Sequence, residues 1–114
     1  INTLPAMAID IESRRPILAN KVGGLSGSAI HPVAVKLVWE AAQAARVPIL
    51  AMGGIMGPEQ AVEFMLAGAA AVAVGTANFI DPGVFLRVID GIEAYMRRQG
   101  LGSVRELTGA VICD

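Results

Sequence analysis

VPILAMGGI (Val47–Ile55), PEQAVEFMLAG (Pro58–Gly68) and AAVAVGT (Ala70–Thr76) follow one another almost without interruption. They read as strand, double-glycine turn, helix, strand, glycine turn. Ile49–Met52 and Val72–Val74 are short apolar runs bounded by Pro or Gly, the pattern of strands buried on both faces. Between them Pro58–Ala67 has helical spacing, with Ala61 and Met65, and Val62 and Leu66, sharing a face. Gly57-Pro58 is a good helix start and Gly68 a good stop. Both strands run into glycine, at Gly53-Gly54 and at Gly75-Thr76. In a parallel sheet those turns lie side by side at one rim. Glycine lets backbone N–H groups approach an anion with no Cβ in the way. The two turns are therefore expected to hold a phosphate jointly.

The same βα unit recurs on either side of this stretch. Upstream, GGLSG (Gly23–Gly27) is a third glycine turn. It leads into a helix with Pro32 in its first turn and an expected apolar face of Val33, Leu37, Val38, Ala41, Ala42 and Ala45. Trp39 and Glu40 are placed on the outer or flanking face. His31, the single histidine, sits directly before Pro32. It is read as a helix-capping or surface residue rather than a general base. Downstream, Ala77–Ile80 leaves room for one helical turn. Gly83–Gln99 then reads as a long helix with Val84, Phe85, Val88, Ile89, Ile92, Tyr95 and Met96 on its apolar face. Arg97 and Arg98 suit its carboxyl end, and Gly100 ends it. Ser103-Val104-Arg105-Glu106 is a capping box for a last short helix.

The amino-terminal segment is less regular. Ile1–Leu4 reads as the end of a buried strand, with Asn2 and Thr3 following its last apolar residue at a ligand-binding rim or closing it by local hydrogen bonds. Ala8–Val22 has no clear period and suggests a loop with a short hairpin through Arg15–Ala19. Ile1 is not a start methionine, so the chain reads as a carboxyl-terminal piece of something longer.

Composition narrows the classes. The chain has 114 residues, 54% hydrophobic and 17% charged, with a formal net charge of -1. Balanced charge gives no reason to expect nucleic acid or an acidic membrane as partner. A single cysteine, Cys113, permits no internal disulfide and makes a reducing, cytoplasmic setting the expectation. No apolar run approaches the ~20 residues needed to span a bilayer, and no signal peptide is visible.

Alternating strands and helices with right-handed crossovers give either a doubly wound sheet or a (β/α)8 barrel. The glycine fingerprint of the dinucleotide fold is absent. Barrels often seat a phosphate on the loops after their last two strands together with a short extra helix. The expected fold is α/β: the carboxyl-terminal portion, about the last three βα units, of a TIM barrel that usually needs ~250 residues. Residues 1–114 would belong to one domain with no internal boundary.

INTL, GGLSGSAIHPVAVKLVWE, PILAMGGI and AVAVGTANF, in that order, resemble the carboxyl-terminal part of dihydroorotate dehydrogenase. The likeness is greatest to the class whose catalytic subunit pairs with an iron–sulfur flavoprotein subunit. It implies an FMN barrel, in an oligomeric assembly, that oxidises dihydroorotate to orotate in pyrimidine synthesis. Residue by residue, Ile1 matches a position whose backbone borders the flavin. Asn2 and Thr3 match positions that hydrogen-bond the pyrimidine. Gly27 matches a flavin contact. Gly53, Gly54, Gly75 and Thr76 match the cradle of the FMN phosphate. In the resembled class a cysteine in the earlier half of the barrel is the base, and a lysine there lies near flavin and substrate. Cys113 matches neither, so no catalytic residue and no metal ligand is expected among these residues. Relatives often carry lysine where His31 stands.

Three other readings compete. The related domain of dihydropyrimidine dehydrogenase has similar turns. A non-catalytic phosphate-binding α/β fragment would also explain the glycines. A barrel acting on a phosphorylated sugar would suit the two glycine turns but leave INTL and GGLSG unexplained.

Overall fold

A computed structural model describes residues 3–113. In chain order it contains β1 (Pro5–Ala6), β2 (Ile9–Asp10), β3 (Arg15–Pro16), β4 (Gly23–Gly24), α1 (His31–Ala44), β5 (Leu50–Met52), α2 (Pro58–Ala67), β6 (Ala71–Ala73), α3 (Ala77–Ile80) and α4 (Val84–Gln99). Single 3-10 turns at Ser28–Ile30 and Val104–Leu107 complete it.

The centre is β5–α2–β6. The two strands pair in parallel, Leu50 with Ala71, Ala51 with Val72 and Met52 with Ala73. The crossover α2 begins at Pro58 and stops at Gly68, as the punctuation of the sequence dictates. It packs against both α1 and α4. A helix with neighbours on two sides and a sheet beneath buries more than one stripe, and Ala61, Val62, Phe64, Met65 and Ala67 are all buried. With Val38 of α1, Ala51 of β5, and Val84 and Val88 of α4 they make the core.

Several faces differ from expectation. On α1 the residues turned to the core are Ala34, Val35 and Val38, while Val33 is exposed. On α4, Val84, Val88 and Ile92 pack inward as expected, but Phe85 and Ile89 are exposed. They border a groove of about 420 Å³ running beside β6. The strands are buried on one face: Ala51 lies against the helices, whereas Leu50 and Met52 face outward. Among the described residues no helix is long and apolar enough to cross a membrane.

The α2–α4 crossing is set by Gly91 lying against Pro58. A Cβ at Gly91 would fall inside van der Waals contact with the proline ring carbons Cβ and Cγ. Gly to Ala within a helix ordinarily stabilises by about 0.5–1 kcal/mol. Forcing a methyl between two packed helices costs about 1–3 kcal/mol, and a proline ring cannot swing aside. Gly91→Ala is therefore expected to lower stability in urea denaturation; a stabilised variant would contradict this crossing.

Upstream of α1 the pairing is antiparallel and short. β1 pairs with β4, and β2 with β3. Gly23-Gly24 thus forms a strand pair with Pro5-Ala6 rather than part of a turn. A hairpin forms upstream of the one expected through Arg15–Ala19: Arg15–Pro16 is its returning strand, against Ile9–Asp10, and residues 17–19 lie in no strand. Its turn is held by Asp10, whose carboxylate accepts from Ser13 Oγ at 2.7 Å and from the Glu12 amide at 3.1 Å. Those bonds, Ser13 first, hold the Asp10 carboxyl below its ordinary range. Thr3 and Leu4 lie in no strand. The capping box at Ser103 is shifted: Ser103 Oγ accepts from the Arg105 amide, and Glu106 accepts from the Gly102 amide, over a 3-10 turn. Leu107 within that turn is fully buried.

Candidate functional site

Because β5 and β6 are parallel and in register, their carboxyl ends emerge together. Met52, paired with Ala73, is followed by Gly53-Gly54, and Ala73 leads through Val74 to Gly75-Thr76. Outside the β5–β6 ladder, the amides of Gly53, Gly54, Gly75 and Thr76 donate to no backbone carbonyl among the described residues. Polar groups left unpaired at a strand end are available to a ligand.

The double-glycine turn needs glycine. Gly53 has φ +126 and Gly54 φ +69. A Cβ on Gly54 would lie 2.7 Å from His31 Cβ, 2.8 Å from the Gly27 carbonyl oxygen and 2.9 Å from the His31 amide nitrogen. The turn is thus pressed against the start of α1 and the glycine that precedes it. At Gly75 a Cβ would meet nothing within 4 Å. After it, Thr76 stands at the head of α3. Asn78 of α3 donates from Nδ2 to the Val74 carbonyl at 2.8 Å, tying that helix back to the strand end. Asp81, at the other end of α3, binds Arg87 and accepts from the Gly83 amide, which fixes the entry to α4. The Arg87 bond, helped by the Gly83 amide, holds the Asp81 carboxyl below its ordinary range.

One cleft of about 560 Å³ runs along this rim, and its wall includes Thr3, Gly27, Gly53, Gly54, Gly75 and Thr76. Every proposed site residue within the described range therefore borders the same space. Ile1 and Asn2 lie outside the described residues. The flanks are apolar, from Ile30 and Val38 of the helical side and Leu50 and Met52 of β5. Thr3 is brought here by the β1–β4 pairing, with the Leu25 amide donating to the Leu4 carbonyl at 2.8 Å. Apolar walls with a few converging backbone donors suit a planar ligand with an anionic tail. Small residues leave room for such a tail: the Gly54 Cβ position is filled by neighbours, while that at Gly75 is open. These features fit a phosphate-bearing flavin. Among the described residues no cluster of three or more His, Cys, Asp or Glu could hold a metal ion. Cys113 is exposed on the tail.

His31 departs from expectation. It is neither a cap nor a surface residue: it is buried, at 8% exposure. Nδ1 lies 3.1 Å from the Gly53 carbonyl oxygen and Nε2 lies 2.6 Å from Glu63 Oε2. Its ring meets Phe64 edge-on, centroids 4.9 Å apart. Nothing local foretold this, because both partners are distant in sequence and come together through the α1–α2 packing.

The family model for dihydroorotate dehydrogenase matches residues 1–96. The "dihydroorotate dehydrogenase B (NAD(+)), catalytic subunit" of Geotalea uraniireducens is 57% identical over 112 residues, 98% of this chain and 37% of that protein. The protein of the same name from Bacteroides fragilis is 54% identical over 97% of this chain and 37% of its own length. A crystal structure of DHODH from Eimeria tenella in complex with ferulenol superposes with a TM-score of 0.74 at 30% identity, covering 92% of this chain and 29% of that one. The chain thus spans a little over a third of the curated relatives it matches, and its fold is part of a (β/α)8 barrel. By the extent of the family match, and by identity above half to relatives across nearly all its residues, the chain belongs to the dihydroorotate dehydrogenase family.

Proposed function

We propose that these residues form the carboxyl-terminal part of a single FMN-binding barrel domain of a cytoplasmic dihydroorotate dehydrogenase, and that they supply the phosphate cradle and part of the substrate site. The observation that carries this is the joint rim: Gly53-Gly54 and Gly75-Thr76, with the Gly54, Gly75 and Thr76 amides free of backbone acceptors among the described residues, line the cleft that Thr3 and Gly27 also border. Gly53, Gly54, Gly75 and Thr76 would hold the phosphate through backbone N–H groups. Gly27 and Ile1 would border the ring system, and Asn2 and Thr3 would hydrogen-bond the pyrimidine. Bound FMN would supply the two-electron acceptor for the hydride that leaves dihydroorotate as it becomes orotate. The chain's own part is to bind, orient and exclude water along the apolar wall. The accompanying proton needs a base that these residues do not provide. The name shared by the relatives supports a second, electron-transfer subunit, which the resemblance makes an iron–sulfur flavoprotein, in an oligomeric assembly.

The test is spectroscopic. The protein produced at the length its gene encodes is expected to carry FMN absorbance that dihydroorotate bleaches under anaerobic conditions. Bleaching by dihydrouracil instead would favour the dihydropyrimidine dehydrogenase-like reading. Absence of flavin would favour a non-catalytic phosphate-binding role.

A further inference from the structure

A glycine pair has no side chains to anchor it. The Gly53-Gly54 turn must nevertheless stay in one conformation if its amides are to be ready for an anion. Its tertiary hydrogen bond comes from His31, whose Nδ1 is 3.1 Å from the Gly53 carbonyl oxygen. A carbonyl can only accept, so Nδ1 carries a hydrogen. Nε2 is then left facing Glu63 Oε2 at 2.6 Å. A neutral ring with its hydrogen on Nδ1 would set a lone pair against a carboxylate oxygen at that distance. A proton must therefore lie between them, so the ring bridges the Gly53 carbonyl and the Glu63 carboxyl group.

We infer that His31 is a positioning residue: Glu63 holds one ring nitrogen, and the other clamps the Gly53 carbonyl so that the glycine turn keeps one conformation at the cleft. This rests on the reading that the turn receives the FMN phosphate. The groups around the ring are few. From α2 come the Glu63 carboxylate and the edge of Phe64, and from the turn comes the Gly53 carbonyl. Glu63 is the acidic partner of His31 among the described residues. Its side chain is 57% exposed against 10% for His31, so the ion pair is screened and adds little by Coulomb attraction alone. What it adds is a hydrogen bond that fixes the orientation of the ring, and through that the turn. The main chain of His31 also backs the turn, since its amide and Cβ fill the space beside Gly54.

The experiment uses the gene-length protein with 15N-labelled histidine, the His31 signals being assigned by loss in His31→Gln. Nδ1 of His31 is expected to carry the hydrogen that its bond to the Gly53 carbonyl requires. Glu63→Gln should keep it there, because a carboxamide N–H can donate to Nε2. FMN titrations on the same proteins read the consequence. His31→Leu should bind FMN roughly tenfold more weakly, the loss of one hydrogen bond at the turn. Glu63→Gln should bind FMN close to wild type, whereas Glu63→Leu should lose part of that affinity with its melting temperature unchanged, since the Glu63 side chain is 57% exposed. A His31 ring with no hydrogen on Nδ1, or equal FMN affinity in wild type and His31→Leu, overturns the inference while FMN binding itself stands. A wild-type protein that takes up no FMN overturns the functional reading and this inference with it.

Discussion

Gly54→Val is expected to weaken FMN binding by roughly a hundredfold or more. Two independent obstacles add. The residue sits at φ +69, where a β-branched side chain is strained by about 1–3 kcal/mol. Its Cβ would also lie within 3.0 Å of three atoms of Gly27 and His31, two of them backbone. Relieving that overlap moves the turn at a cost of about 1–3 kcal/mol. At about 1.4 kcal/mol per tenfold, the midpoint of the sum, about 4 kcal/mol, already exceeds a hundredfold. The measurement is FMN affinity by fluorescence quenching on the gene-length protein. Gly75→Ala separates cradle from fold. Nothing lies within 4 Å of its Cβ position, so its melting temperature should be unchanged while FMN affinity falls. Unchanged flavin affinity in Gly54→Val would remove the glycine turn from the site.

That this turn could be singled out from sequence has a physical reason. The bounds of α2 are chain punctuation: Pro58 cannot lie deep in a helix and Gly68 readily ends one. The parallel pairing of β5 and β6 then follows from having one helix between two apolar runs. Once that is fixed, the two glycine turns must meet at one rim. Each step depends on local residues and on connection length, both of which a sequence carries.

What escaped the sequence depends on neighbours. Gly23-Gly24 looks like a turn, and becomes β4 because Pro5-Ala6 comes to lie beside it. The period of α4 correctly marks an apolar stripe, but period alone does not say whether something lies against each part of it. Val88 meets α2 and is buried; Phe85 and Ile89, one turn apart on the flank, border an open groove. Leu50 and Met52 likewise face the open side of the sheet, where a closed barrel would place its interior. His31 is the clearest case. Directly before a proline at a helix start, its local context suggests a cap. The approach of α2 makes it a buried bridge, and no residue near His31 in the chain signals Glu63.

Phe64→Ala is expected to be the most destabilising substitution in the α2 core, at about 3–5 kcal/mol. The side chain is fully buried, with 0% exposure, and lies where α2 is enclosed by α1, β5 and α4. Removing the ring opens a cavity between packed helices that cannot close without moving the β5–α2–β6 unit. It also takes away the edge that supports the His31 ring at 4.9 Å. Two consequences should therefore appear together. Thermal and urea denaturation should show the loss of stability, with a smaller loss in Phe64→Leu because most of the volume is retained. FMN affinity measured well below the melting transition should fall as well, since a His31 ring free to tilt no longer holds the Gly53 carbonyl. Stability lost with FMN affinity intact would mean that the core and the glycine turn are mechanically separate, and that Phe64 serves packing alone.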